Sequence, residues 1–413
     1  MLTQRRPLRI ACFGFAEEHS GSVSSANFLI LRELLKRGHQ VDFFNKRSFL
    51  YPEALTKFAN FRYVDTDNPI GAKITGWFLK LSNPVNRFIA GRINDASFTR
   101  VVIRTMRREH RAKPYDLQLF LGTTSYGRIE GIRTVSWVQG PPMTDGYSVY
   151  KHRAKIIALC GRLYYWPLQM FAWCKGLVGL PDFRQSDVII CGSRWACTQM
   201  EKFGVNAGRL HGLPYPIDLQ EFIPAPKEAT DGFHLLWLGR IVPRKRLDLF
   251  LDAAEILIAR GLNLRVTVIG GFPFARGFQK LIDRFRYPQR MNYAASIDRR
   301  EVRALMQTVD VVVQPSESEN FASTPAEALA CGVPVVLGPT NGTRDYTDGA
   351  AIVFDRYDAA SVADAVNQML DLIRQNPKEV ADRSRAAAER HFQLAGIVDQ
   401  LEAILYATVL SNS

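Results

Sequence analysis

Cysteine is scarce in this chain, and the few present have no pattern. Cys12, Cys160, Cys174, Cys191, Cys197 and Cys331 form no Cys-x-x-Cys pair and no regular spacing. This argues against a disulfide framework or a cysteine metal knuckle and for a reducing compartment, expected to be the cytoplasm. Signal-peptide features are also missing: Arg5-Arg6-Pro7 leads into a short apolar run, Leu8 to Phe15, that reads as a first strand. Repeats and low-complexity tracts are absent. The most apolar stretch, residues 156–180, has Arg162 and Lys175 bracketing twelve uncharged residues, with Pro167 between them. A membrane-spanning helix needs about 20 predominantly apolar residues. The stretch therefore reads as a buried or acceptor-side helix pair, or as an interfacial membrane contact through Tyr164, Tyr165, Trp166, Phe171 and Trp173.

Charge is present in excess, but in one half only. The chain has 413 residues and a net charge of +13. Residues 1–220 hold 31 Lys and Arg against 16 Asp and Glu, and residues 221–413 hold 22 against 24. Such asymmetry predicts a negative partner for the first half: nucleic acid, anionic lipid or a phosphorylated acceptor. Arg100, Arg104, Arg107, Arg108 and Arg111 crowd one segment and carry the same choice, against a solvated helix face as the plainer reading.

Strand and helix patterns alternate throughout. Ile10–Gly14, Val41–Phe44, Leu117–Leu121, Thr134–Val138 and Val188–Cys191 read as strands of one sheet, with an apolar-faced helix from Ala26 to Arg37. Periodicity fails at Asp218 to Pro226, which marks a boundary. A second series has strands at Leu235–Leu238, Arg265–Ile269, Val309–Val313, Val333–Leu337 and Ala351–Phe354. Helices are expected at Lys245–Arg260, Ser361–Arg374 and Ile397–Val409. The expected domains are 1–222, on the acceptor side, and 223–390, with a C-terminal helix in 391–413 packing back on the first domain. With 47% apolar residues, both halves have enough to bury a core. Length and alternation predict an α/β fold in two βα-alternating, Rossmann-like domains.

The chemistry concentrates at two strand ends of the second series. Leu238 runs into Gly239-Arg240, and Lys245 follows. Pro315-Ser316 opens a loop holding Glu319, and Glu327 stands eight residues on. Ligands of open α/β sheets bind at that edge. Cations suit a diphosphate, and carboxylates suit sugar and ribose hydroxyls. Each piece has a plainer reading. Thr324-Pro325-Ala326-Glu327 fits a capping box with Thr at N-cap, and Arg240 and Lys245 fit exposed surface charge. Neither explains Glu319.

Gly239-Arg240-x4-Lys245, Pro315-Ser316-x2-Glu319-Asn320-Phe321 and Glu327-Ala-Leu-Ala-Cys-Gly-Val-Pro-Val-Val336 together resemble the retaining glycosyltransferases of family 4. The resemblance implies their GT-B fold, two Rossmann-like domains facing across a cleft. Leu34–Val41 resembles the family's first helix and second strand, and Leu213–Phe222 its linker-side turn. The resemblance implies transfer of a sugar from a nucleoside-diphosphate sugar to a hydroxyl acceptor: a glycan, a lipid-linked molecule or a small molecule. It implies that Gly239, Arg240 and Lys245 hold the diphosphate, that Glu319 bonds sugar hydroxyls and that Glu327 bonds ribose. Asn320, Phe321, Ala322, Ser323 and Thr324 would line the donor, mostly through backbone N–H groups. No cofactor and no metal are expected. The sequence departs from the family in its first half. Ser20-Gly21-Ser22 stands where a Gly-Gly loop is usual, and Gln139 stands near the place of a common His, for which His152 is no clear substitute. An epimerase of the same fold, a silent binding scaffold and a basic nucleic-acid binder are the alternatives. The last lacks an RNA-binding aromatic signature and a zinc finger, so no nucleic-acid partner is expected. A peripheral contact with an anionic membrane is.

Overall fold

The computed structural model describes residues 6–18, 22–47, 51–67, 84–122, 127–140, 144–170, 173, 185–226, 231–271 and 276–411. Ser20 and Gly21 lie outside this set, and only the backbone of Ser22 is described, at the start of a helix.

Two all-parallel sheets organise the chain. The first has seven strands in the order β3-β2-β1-β4-β5-β6-β7. They are β1 Arg9–Gly14, β2 Gln40–Asn45, β3 Phe61–Asp65, β4 Leu117–Leu121, β5 Arg133–Trp137, β6 Val188–Cys191 and β7 Leu210–Gly212. The second has six in the order β10-β9-β8-β11-β12-β13. They are β8 Phe233–Leu238, β9 Leu264–Ile269, β10 Met291–Ala294, β11 Val311–Gln314, β12 Val335–Leu337 and β13 Ala351–Val353. Central strands such as β4 and β11 are buried along their whole length, as a sheet covered on both faces demands. In each sheet the order reverses once, between β1 and β4 and between β8 and β11, and a crevice opens at such a point.

In the first domain, helix α1 (Ser22–Lys36) packs Phe28, Leu31 and Leu34 on one face of the sheet, against Ile10, Cys12 and Leu119. Helix α2 (Pro84–Ala112) packs Val102, Ile103 and Met106 on the other, against Phe13, Phe44 and Phe120. Residues 144–170, which sequence order places in the first domain, behave differently. Helices α3 (Thr144–Lys151), α4 (Arg153–Cys160) and α5 (162–170) send Val149, Ile156, Leu159, Tyr165 and Leu168 into the core of the second domain. They meet there α7 (Leu247–Ala259) and α8 (Gln279–Asp283), which follow α6 (Arg194–Lys202) in the chain.

The C-terminal segment crosses back. After α9 (Arg299–Met306), α10 (Ser323–Ala330), α11 (Ala359–Gln375) and α12 (Pro377–His391) comes α13 (Leu394–Leu410), whose Ile397, Val398, Leu401 and Leu405 join the first domain's core. Arg37 bridges Glu402 at 2.7 Å, and His39 Nε2 lies 2.6 Å from the same carboxylate.

Several elements differ from the sequence expectation. Strands β3, β7 and β10 were not expected. All three are edge strands, short and largely half-exposed, and so show little apolar signal. Helix α12 is mostly polar, burying only Ser384, Ala387 and Ala388, and starts behind an Asn376 cap with Pro377 at its first position. The helix expected from Lys245 begins at Leu247. Pro243–Lys245 forms a separate 3-10 turn, and Arg246 between them is left-handed at φ 49°.

Candidate functional site

A cleft of about 760 Å³ opens between the domains at both switch points. Gly239, Arg240, Arg244, Lys245, Glu319 and Glu327 line it from the second domain; Phe15, Val23, Ser24 and Gln139 line it from the first. Phe321, Ala322, Ser323 and Thr324 complete the wall on the Glu319 side.

The cation loop is held by the sheet. Gly239 N–H donates to Ile269 O at 2.9 Å, and Trp237 Nε1 donates to Lys245 O at 3.3 Å. A Cβ at Gly270 would lie 2.0 Å from Gly239 O, so only glycine lets β9 end this close to the loop. Arg240 is exposed at the rim. Arg244, which the motif reading passed over, and Lys245 are largely buried and converge on one oxygen: Glu319 Oε2 accepts from Arg244 at 2.8 Å and from Lys245 Nζ at 2.6 Å. Burial opposes the charge on Glu319, but Arg244 and Lys245 outweigh it and hold the carboxyl below its usual range. Burial also lowers the Lys245 ammonium, with Arg244 and Arg240 adding to that against the pull of Glu319. A diphosphate in the cleft would relieve this cation crowding. Glu319 thus acts first on the cations, where the sequence reading gave it to sugar hydroxyls.

Glu327 does not cap its helix. Helix α10 begins at Ser323 behind Ala322, without a side-chain cap, so Glu327 sits in the second turn and not at N3. The capping box is therefore excluded. Thr324 Oγ1 lies 3.5 Å from Leu238 O instead, across the β8 turn. With Ala322 N–H taken by Thr343 Oγ1 at 2.9 Å, the uncapped residues after it, Ser323 and Thr324, face the cleft where an anion would be favoured. Glu327 is buried, and burial pushes its carboxyl up to about 7; Arg299 opposes the rise from 3.7 Å, and Glu221 adds to it. Arg299, at the start of α9, also pairs with Glu221 at 2.9 Å and stacks over Phe222 at 5.1 Å. It ties the interdomain linker to the cleft wall.

Asn320 is spent elsewhere than expected. Its Oδ1 accepts from Gly192 N–H at 2.9 Å, and its Nδ2 donates to Val138 O at 3.2 Å, so the amide pins the two domains together. A Cβ at Gly192 would meet Phe321 Cβ at 2.6 Å. Phe321 packs with Tyr215 and Phe392 as well as facing the cleft. Gln139 is exposed on the first-domain wall, and Ser24 Oγ beside it is buried with no hydrogen-bond partner among the described residues. His152 is not in the cleft; its Nε2 lies 3.4 Å from Glu317. An Asp-x-Asp does occur, Asp65-Thr66-Asp67, but at the end of edge strand β3. There Asp65 Oδ1 accepts from the N–H groups of Arg47 and Asp67, and neither carboxylate lines the cleft. Of the three non-glycine residues with positive φ among those described, Arg246 and Ser318 flank Lys245 and Glu319. Backbone strain of this kind gathers at functional sites.

Comparison with known proteins bears on this geometry. Residues 219–390 match the family model for glycosyl transferases group 1. A D-inositol 3-phosphate glycosyltransferase of Paenarthrobacter aurescens (strain TC1) is 31% identical over 183 residues, 41% of this chain and 45% of that one. The chain spans about half the length of the curated relatives it matches. Among solved structures, a glycosyltransferase from Rickettsia africae ESF-5 superposes with a TM-score of 0.67 at 11% identity, over 99% of this chain and 100% of that one. HepE of Anabaena, solved with UDP-glucose, gives 0.64 at 15% identity, over 97% and 100%. The fold is GT-B: two parallel-sheet α/β domains facing across a cleft.

Proposed function

We propose that this chain is a retaining, metal-independent glycosyltransferase that moves a sugar from a nucleoside-diphosphate sugar to a hydroxyl acceptor. The observation that carries the reading is the convergence of Arg240, Arg244, Lys245 and Glu327 on one interdomain cleft. The diphosphate meets Arg240, Arg244, Lys245 and the N-terminus of α10; the ribose meets Glu327. When the sugar C1–O bond breaks, its electron pair goes to the diphosphate, and preorganised cations stabilise the developing charge. One such donor is typically worth about 2.7–4 kcal/mol. Among the described carboxylates lining the cleft, Glu319 is paired with two cations, Asp298 caps α9 and Glu327 is assigned to the ribose, so none is assigned as a nucleophile. The acceptor oxygen then bonds C1 on the face the diphosphate leaves, and its proton passes to a leaving phosphate oxygen. UDP-sugars are the first donors to try, because a fold neighbour was solved with UDP-glucose.

Thermal shift against a panel of nucleotide sugars tests the donor claim; a ligand at 100 times its dissociation constant adds about 2.7 kcal/mol. Turnover of a stabilising donor unaffected by EDTA is the expected result. A panel with no shift, or activity lost to EDTA and restored by a divalent ion, would reject the reading.

A separate reading concerns the basic half. We propose a peripheral contact with the cytoplasmic face of an anionic membrane, which would bring a lipid-linked acceptor within reach. Arg100, Arg104, Arg107, Arg108, Arg111 and Arg128 line a hollow of about 750 Å³ on the outer side of α2. The nearby carboxylates are engaged: Glu109 with Arg62 and Arg108, Asp187 with Arg128 and Arg133. Like charges four apart weaken a helix, and within the stripe Arg108 pairs with Glu109 and Arg107 donates to Arg128 O. Leu163, Trp166, Met170 and Trp173 are exposed at helical spacing, and aromatic rings anchor well at an interface. Arg111 closes α2 just before β4 begins, at the opposite strand ends from the cleft. The hollow is therefore badly placed for an acceptor phosphate undergoing transfer.

A further inference from the structure

The excursion between β5 and β6 is anchored to the second domain by charge as well as by apolar packing. Glu317 Oε2 accepts from Lys151 Nζ at 2.6 Å, at the end of α3. The other oxygen of Glu317 accepts from Arg246, which also pairs with Asp248 at 3.1 Å. Asp248 in turn accepts from Lys155 of α4. Lys151 and Arg246 both lie over the Tyr357 ring, at 5.6 and 5.9 Å. Glu317, Arg246 and Asp248 are buried, and buried ions are costly unless each is paired. Burial opposes the charge on Glu317, yet His152, Lys151 and Arg246 hold its carboxyl down at about 2.

Glu317 also binds through its backbone: its N–H donates to Arg244 O at 2.7 Å. One residue thus touches three parts at once. These are the loop with Arg244 and Lys245, the loop with Glu319, and a helix that leaves the first domain five residues after Gln139. The strained positions Arg246 and Ser318 stand beside it on either loop.

We propose that Glu317, with Lys151 as its partner across the domains, is a positioning residue for the donor site. It sets the registry of the Arg244–Lys245 loop against the Glu319 loop and couples that registry to the first domain. The proposal rests on the donor-site reading for its catalytic consequence, while its structural half can be measured without any donor. Lys151 is half-exposed, so Lys151→Ala should fold; Lys151→Arg keeps a cation within reach of the same carboxylate.

Hydrogen exchange and steady-state kinetics on the full chain test this together. In Lys151→Ala, amide exchange in residues 239–246 and 315–320 of the ligand-free protein should rise about tenfold, the scale of a lost coupling between neighbours. The kcat at saturating donor should fall about tenfold with the donor KM nearly unchanged, because a misplaced catalytic group costs rate more than ground-state binding. Lys151→Arg should restore both within about twofold. Unchanged exchange overturns the proposal whatever the activity. Raised exchange with an unchanged kcat overturns the positioning role and leaves only a structural pair. A wild type inert on every nucleotide sugar, with exchange still raised in Lys151→Ala, would sink the donor reading and support the clasp.

Discussion

Both domains present a switch point of a parallel sheet to the cleft, yet the charge there comes from one side. The second domain supplies Arg240, Arg244, Lys245, Asp298, Arg299, Glu319 and Glu327; the first supplies Phe15, Val23, Ser24 and Gln139. Net charge runs the other way, since the first half carries the cationic excess. Five of the first domain's arginines line the outer side of α2, away from the cleft. A domain can be strongly basic and still leave its half of the site neutral. Bulk charge speaks of the surface a protein meets, and site charge of the chemistry it does.

The sharpest way to break this contrast is at the cleft. Arg240→Ala should lower kcat about 10²–10³-fold, because its charge acts on the developing diphosphate. Arg240 is exposed, so the melting temperature should hardly move. Wild-type turnover in this variant would mean that the cleft's cations are not the catalytic half.

The contrast also explains what could be read from sequence. Arg240, Lys245, Glu319 and Glu327 were legible because charged residues at strand ends stand out against apolar runs. Arg244 lies inside the same motif but was hidden, since nothing in sequence tells that it joins Lys245 on Glu319 while Arg246 turns to Glu317 and Asp248. Arg299 was hidden by distance: it is brought to Glu327 by the β10–α9 connection. Glu327 itself reads as a cap only with Thr324 at N-cap, two residues beyond the observed N-cap, Ala322. Asn320 matched a motif, but its partners are backbone groups of the first domain that no local pattern reveals. The aromatic run before Trp173 announced burial or an interface. That its inner side packs on the second domain while its outer side stays bare is a tertiary fact.

Stability gives the next prediction, of nearly the same size. Glu327 has a carboxyl pushed up to about 7 by burial, against 4.5 ordinarily. Between those values the folded form binds a proton that the unfolded form does not, so stability falls as pH rises through the window. Above pH 7 the charged wild type bears a penalty of at most about 3 kcal/mol that a neutral isostere avoids. Glu327→Gln should therefore melt higher than wild type at pH 8 and like wild type below pH 4.5. Equal melting at both pH values would show that Arg299 fully compensates the carboxylate.

On the other side of the contrast, the arginine hollow should govern membranes and not donors. Each Arg near an anionic leaflet contributes about 1 kcal/mol, so replacing Arg104 and Arg111 with Ala should weaken binding to phosphatidylglycerol vesicles about 30-fold. Binding should also weaken with salt. Donor affinity should stay at the wild-type value. Co-sedimentation with neutral vesicles alone, or none even at low ionic strength, would remove the membrane from the account.

The smallest effect ties the two halves of the Glu327 argument. The diphosphate of a nucleotide sugar is esterified at both ends, so its charge does not change near neutrality. A pH dependence of donor binding there belongs to the protein. Only the ionised Glu327 accepts from two ribose hydroxyls at full strength, and a hydrogen bond to a charged group is worth about 1.5–3 kcal/mol. Wild-type affinity should therefore rise about tenfold from pH 6 to pH 8, across the value of about 7. Glu327→Ala should bind about tenfold more weakly at pH 8 and show a flat profile. Calorimetric titration at three pH values reads both. A pH dependence that survives in Glu327→Ala would move the titrating group elsewhere in the cleft, with Lys245, whose ammonium burial has already lowered, the first to examine.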